Sequence, residues 1–194
     1  MNTYIKDIHT DFPKIDTPQM IEVDRLMTED YGIEIIQMME NAGRSLAIIT
    51  KNRFCKGDVQ CKKIAILAGT GCNGGGVLVA ARRLHNWGAN IHVYITADED
   101  NFIPVSKHQL DIIKRMGIPV NIGNNLPKRY NFDAILDGII GYSLQGNPCG
   151  IAADLITWAN NQNAPTISMD TPSGLDLSSG KLFNPIINAK ATLH

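Results

Sequence analysis

The chain carries almost no excess charge: 18 Lys and Arg against 19 Asp and Glu leave a net charge of −1 over 194 residues. That balance gives no electrostatic reason to expect DNA, RNA or an anionic membrane as the main partner. Long apolar runs are missing too, and none approaches the roughly 20 residues of a membrane span. The first twenty residues mix Lys, Asp, His and Pro, which argues against a secretory leader. Cysteine is scarce, and Cys55, Cys61, Cys72 and Cys149 show no metal-ligand spacing. Cys55 and Cys61 stand too far apart for a Cys-x-x-Cys hook and have no His nearby, so reduced structural thiols in a reducing cytoplasm are expected. The five His (His9, His85, His92, His108, His194) do not cluster and most are expected to be solvated or on helix surfaces, with Trp87 and Trp158 as packing residues. What remains, 44% hydrophobic and 19% charged residues, suits a single domain spanning 1–194 with a core of its own.

The richest stretch runs from Lys62 to Leu84. Ile64, Ala65, Ile66 and Leu67 read as a buried strand, and Gly69, Gly71, Gly74, Gly75 and Gly76 follow within eight residues. Val77, Leu78, Ala81 and Leu84 then recur at helical spacing. A strand, a glycine loop and a helix in that order bring bare backbone N–H groups and a helix N-terminus to one point, a cradle for a phosphate or pyrophosphate.

Two helices precede this unit. Thr17-Pro18 predicts an N-cap with Pro at the first helical position. Met20, Val23, Met27 and Tyr31 form its apolar stripe, and Gly32 ends it. The second helix turns Ile35, Met38, Met39, Ala42, Leu46 and Ile49 inward. Gly43 within it costs about 1 kcal/mol against Ala, so it marks either a close backbone approach or tolerated drift. Downstream, Ile91, Val93 and Ile95 alternate as a strand, Val105 to Met116 is a helix closed by Gly117, and Ile118 to Val120 is a short strand. A polar loop follows from Asn121 to Arg129. Phe132 to Leu136 is a strand ending at Asp137, Ile151 to Ala159 a helix, and Pro165 to Met169 a strand ending at Asp170. This alternation predicts a Rossmann-like three-layer α/β/α fold, with a mostly parallel sheet covered by helices on both faces.

Ligands of such sheets bind beyond the carboxyl ends of the strands. Here those ends carry Gly69 to Gly76, Asp137-Gly138, and the run from Asp170 through Ser173 to Gly174. Two carboxylates, the Asn73 amide and the Ser173 hydroxyl can meet in one crevice. Either Asp taken alone could equally cap a loop or a helix.

Four blocks resemble the YjeF N-terminal domain family, the NAD(P)H-hydrate epimerases. Met39-Glu40-Asn41-Ala42-Gly43 is similar to the family's Met-Glu-Asn-Ala-Gly helix, and Gly69 to Arg82 to its glycine loop and following helix. Asp137-Gly138-Ile139-Ile140-Gly141 resembles its Asp-Ala-Leu-Phe-Gly segment. Asp170-Thr171-Pro172-Ser173-Gly174-Leu175-Asp176 resembles its Asp-Ile-Pro-Ser-Gly-Leu-Asp. The resemblance implies interconversion of the R and S forms of hydrated NADH and NADPH, which carry a hydroxyl at C6 of the nicotinamide ring. It further implies Asp170 as the catalytic acid/base and a potassium ion held by Asn73, Asp137 and Ser173. Substrate contacts are implied for Cys72, Asn73, Gly74, Gly75, Gly76, Gly141, Tyr142, Ser143, Leu144, Gln145, Gly146 and Asp170. A homodimer is expected, and a separate dehydratase acting on the product.

The chain departs from that pattern. Where the family's loop usually reads Asn-Asn-Gly-Gly-Asp-Gly, this one reads Cys72-Asn73-Gly74-Gly75-Gly76-Val77, so the acid is missing at Gly76. The family normally adds a further strand and a basic loop beyond Ala191-Thr192-Leu193-His194. These differences keep a second reading open: a catalytically degenerate nucleotide-binding or protein-assembly module of the same fold. Gly69-x-Gly71-x-x-Gly74 also satisfies a dehydrogenase fingerprint with Asp98 downstream, but Asp98 sits past the strand end and no catalytic domain follows.

Overall fold

Ile64 to Ala68 are all apolar, and a strand built from such a run must be covered on both faces. In the structure, a computed structural model describing residues 15–124, 126–127 and 130–193, they lie in β1 (Lys63–Ala68), at the centre of the sheet. His9, His194 and the Asn125, Lys128 and Arg129 positions of the expected polar loop fall outside the described residues. The other strands are β2 (Asn90–Ile95), β3 (Val120–Ile122), β4 (Ala134–Gly138), β5 (Thr166–Met169) and β6 (Ala189–Leu193). They form one six-stranded sheet in the order β3-β2-β1-β4-β5-β6, parallel at every pairing. This is the strand order of doubly wound folds, whose winding reverses between β1 and β4 and leaves a crevice there.

The helices are α1 (Thr17–Arg25), α2 (Ile35–Ile49), α3 (Cys72–Asn86), α4 (Pro104–Arg115) and α5 (Gly150–Asn160). Ile64, Ile66 and Ala68 point to a core shared with Leu46 and Ala47 of α2, Leu78, Ala81 and Leu84 of α3, and Leu110 and Ile113 of α4. Ala65 and Leu67 point the other way, to Leu155, Ile156 and Trp158 of α5. The three-layer expectation holds, with most of the helical cover on one face. The second face is completed by aromatics: Trp158 lies against Tyr94 and Phe132 and donates its indole N–H to the Pro127 carbonyl at 2.8 Å. His92 is part of this cluster rather than of a solvated surface, stacked edge-on with Tyr130 and Phe132.

Several local expectations shift. Asp16, not Thr17, caps α1; it accepts the Gln19 N–H at 2.9 Å while the Gln19 side chain accepts the Asp16 N–H at 2.8 Å, a reciprocal capping box. Tyr31 is 76% exposed and Ile35 42% exposed, so neither faces the core as its spacing predicted. The short strand is displaced from Ile118–Val120 to Val120–Ile122, into the stretch expected as loop. Asp137 lies within β4 rather than beyond its end. Gly43 marks a close approach: a Cβ there would stand 2.6 Å from the Gly76 carbonyl oxygen and 2.5 Å from Val79 Cβ. Drift is thereby excluded, and the Met39 to Gly43 block is the seam along which α2 docks on α3. Glu40 fastens that seam, pairing with Arg82 and, at 2.9 Å, with Arg83.

Candidate active site

The glycine loop leaves β1 at Ala68 and turns directly into α3. Gly71 caps the helix without a side-chain hydrogen bond, and no acidic residue occupies the first turn. The first intrahelical bond runs from Gly75 N–H to the Gly71 carbonyl at 3.2 Å. The N–H groups of Cys72, Asn73 and Gly74 thus have no intrahelical acceptor and share the positive end of the helix dipole. Loop tightness requires glycine: a Cβ on Gly74 would fall 1.8 Å from the Gly69 carbonyl oxygen. From α4, Ser106 donates to the Gly71 carbonyl at 2.9 Å and the Ile103 N–H reaches Thr70 O at 3.1 Å, so the loop is held from behind.

Beneath the crevice, Asp137 is fully buried. Its Oδ2 accepts the Ser168 hydroxyl at 2.7 Å and the Ser173 N–H at 3.0 Å; its Oδ1 accepts the Ser173 hydroxyl at 2.6 Å and the Ile139 N–H at 3.2 Å. Burial pushes this carboxyl up, against hydrogen bonds from Ser173, Ser168 and Ile139 that pull it down. Among the described residues no Lys, Arg or His pairs with it. The loop-capping role open to Asp137 is therefore realised. Asn73 stands close by: its amide donates to the Met169 carbonyl at 3.2 Å, and a Cβ on Gly141 would lie 2.6 Å from its Nδ2. Asn73, Asp137 and Ser173 thus come together as a set of hard oxygen donors with no cationic side chain, although four accepted hydrogen bonds already use the lone-pair sites of Asp137 and a bound cation would displace one of them. That set suits an oxygen-seeking cation of low charge. Among the described residues no cluster of three or more His, Cys, Asp and Glu is placed to hold a metal ion.

Asp170 stands at the end of β5 in the left-handed region, with φ +64°. Its N–H donates to Leu193 O of β6 at 2.6 Å, and the next N–H, of Thr171, returns to Met169 O at 2.7 Å. The chain turns on one residue here, in a backbone geometry strained for an L-residue.

The remaining predicted contacts divide. Gly75 and Gly76 are buried, Gly75 beside Met39 and Ser106; a Cβ on Gly76 would lie 2.8 Å from Met169 Cε. A side chain at residue 76 would thus meet the flexible tip of Met169. Gly141 is brought to Asn73, and Tyr142, Ser143, Gln145 and Gly146 form an exposed rim with Leu144 half-buried. Cys72 is exposed, but local desolvation, then the Asp24 charge, push its thiol up, away from a reactive thiolate. Met169, Ser106 and Asp24 were not among the predicted site residues; they reach the site from three other elements and carry no local sequence signal. Two clefts of about 560 and 330 Å³ lie instead at the amino ends of the strands, lined by residues such as Asn131, Asn161 and Gln162 in one and Asn160, Asn188 and Lys190 in the other. No predicted site residue lines either cleft, and parallel sheets bind ligands at the opposite end.

The chain is 39% identical over 183 residues to a protein of Dehalogenimonas lykanthroporepellens named NAD(P)H-hydrate epimerase, covering 92% of this chain and 72% of that one. A protein of Truepera radiovictrix with the same name is 34% identical, covering 87% of this chain and 73% of that protein. The crystal structure of yeast ynu0, YNL200c, superposes with a TM-score of 0.74 at 26% identity, covering 93% of this chain and 79% of that chain. The family model of the YjeF-related protein N-terminus matches residues 35–194, and the chain belongs to that family.

Proposed function

We propose that this chain is an NAD(P)H-hydrate epimerase, an isomerase interconverting the R and S forms of hydrated NADH and NADPH. The observation that supports the reading is the link between the first turn of α3, which no side chain caps, and the end of β5: Asn73 donates to the carbonyl of Met169, the residue before Asp170. A dinucleotide places its pyrophosphate on the Cys72 to Gly74 N–H groups. Its nicotinamide then lies toward Asp170.

Inversion at C6 proceeds through loss and return of water. Asp170 protonates the C6 hydroxyl, the C6–O bond breaks with assistance from the ring-nitrogen lone pair, and water leaves a planar cation. Water then adds to either face and returns its proton to the Asp170 carboxylate. Asn73, Asp137 and Ser173 would hold a potassium ion, which supplies fixed positive charge beside the buried carboxylate. The Gly141 to Gly146 rim closes the nucleotide side, with Tyr142 nearest Asp24 of α1.

The same reading places the protein in the cytoplasm as a homodimer, with a separate dehydratase consuming the S form. Exposed apolar residues on and beside the leading helices, among them Ile21, Tyr31 and Ile35, support a dimer contact there. In Moorella thermoacetica a protein named bifunctional NAD(P)H-hydrate repair enzyme Nnr is 32% identical, and this chain covers 34% of its length.

The degenerate-module alternative rests on the missing acid at Gly76. Turnover decides between the two. Purified protein with R-form hydrated NADH and potassium should generate the S form faster than the spontaneous rate, followed by chromatography. Asp170→Asn should abolish that acceleration with the fold intact. No acceleration by the folded wild type would leave the alternative standing.

A further inference from the structure

Resting on the epimerase reading, a dinucleotide lying from the α3 N-terminus to Asp170 must satisfy its ribose hydroxyls on the way, and Gly76 offers no side-chain acceptor. α1 does. The half-buried Asp24 accepts the Tyr142 hydroxyl on Oδ2 at 3.4 Å, and α1 is tied to the loop beyond β5 by a second contact, Thr17 Oγ1 to Ser178 Oγ at 2.8 Å. Tyr142 follows Gly141, which backs onto Asn73 of α3; Asn73 in turn holds the carbonyl of Met169, the residue before Asp170. Asp24 therefore borders the stretch between the helix N-terminus and the catalytic carboxylate. The charges of Asp24, Cys72 and Asp170 all raise the Tyr142 hydroxyl, behind burial as the leading cause, which fits the closeness of these groups.

The Asp24 carboxylate has acceptor capacity to spare. An ionised carboxylate offers about four lone-pair sites, and a 3.4 Å contact is a weak claim on one of them. The neighbouring cation Arg25 is committed to Glu22, Glu29 and Asp30 instead. Among the described residues Asp24 has no ion-pair partner.

We propose that Asp24 is a substrate-contact residue, whose carboxylate accepts hydrogen bonds from the cis-diol of the nicotinamide ribose, the group that joins pyrophosphate to nicotinamide. Hydrated NADH and hydrated NADPH share that ribose, since the additional phosphate of the latter sits on the adenosine side. Asp24 thus recognises both substrates alike.

The test is a cycle of two proteins and two ligands, read as dissociation constants by calorimetry with NADH and with NADH lacking the 2′-hydroxyl of its nicotinamide ribose. Wild type should bind NADH about tenfold or more tightly than the deoxy analogue, the worth of a hydrogen bond to a charged group. Asp24→Ala should bind both about equally, with its loss confined to NADH. A structural role for Asp24 would weaken both ligands together, and that result overturns the proposal, as does discrimination unchanged in Asp24→Ala. Should Asp24→Ala not fold, Asp24→Asn decides: it keeps the volume and one oxygen and should show intermediate discrimination, whereas wild-type discrimination overturns the proposal. Wild type that binds NADH but does not discriminate refutes this inference alone. Wild type that binds neither dinucleotide refutes the nucleotide-site reading and this inference with it.

Discussion

Asp170 combines a demanded backbone with a demanded side chain, and substitution separates the two. Its φ of +64° is pinned by the Asp170 N–H to Leu193 O bond at 2.6 Å and the Thr171 N–H to Met169 O bond at 2.7 Å, so relaxing the turn would sacrifice both. Left-handed geometry costs an ordinary L-residue roughly 1–2 kcal/mol, less for Asp and Asn, and nothing steric for Gly. A β-branched residue stands at the upper end of that range or beyond it. Gly, Ala and Val at residue 170 all lack the carboxylate, so its interactions cancel in comparisons among them. Folded stability should then fall in the order Gly, Ala, Val, with about 2 kcal/mol separating the extremes. For a chain of this length that is about 4–8 °C in melting temperature. Thermal and guanidinium unfolding of the three variants, run beside an epimerase assay, reads both properties. All three should be inactive while their stabilities spread. Equal stability for Asp170→Gly and Asp170→Val would refute the claim that the turn is enforced, and activity in any of the three would refute the acid/base assignment.

Other expectations follow from the loop, the seam and the buried carboxylate. Gly74→Ala should cost about 3 kcal/mol or more, because the new Cβ meets backbone 1.8 Å away and nothing flexible can yield; a melting curve close to wild type would contradict this. Burial raises the Glu40 carboxyl, but the Arg83 and Arg82 hydrogen bonds outweigh it and hold the group below its usual 4.5. A lowered carboxylate contributes stability above its unfolded pKa and loses it as pH falls through the folded value. Unfolding free energy measured from pH 6 downward should therefore decline below about 4.5, and Glu40→Gln should flatten that decline; an unchanged slope would remove Glu40 from the account. Potassium should raise the melting temperature of wild type relative to choline at equal ionic strength, and Asp137→Asn should lose that increment. An identical potassium increment in the variant would place the ion elsewhere.

The sheet and its crevice were legible because they rest on local signals. β1 announces itself as an unbroken apolar run, and the glycine loop and Asp170 follow strands readable by the same pattern. Boundaries slipped where the signal was weak: Val120–Ile122 is an edge strand of three residues, too short to establish a period, and Asp137 reads as a strand terminator although Ser168 and Ser173 satisfy it inside the sheet. Glu40 stands in the sequence only as part of a motif, and its partners Arg82 and Arg83 lie on another helix. Nothing within α1 distinguishes Asp24 from Glu22; only the folded chain brings one to Tyr142 while the other pairs with Arg25. Contacts between distant segments leave no period in a sequence.

The hold that β6 keeps on Asp170 bears on the order in which the protein becomes competent. During synthesis Asp170 leaves the ribosome before Leu193 does, and until the later strand docks its turn lacks the carbonyl that anchors it. A nascent chain can assemble β1, its glycine loop and α3, and even engage a dinucleotide, while its acid/base group is still unset. Completion of the sheet therefore acts as a maturation step, and partly folded molecules are expected to bind before they can turn over.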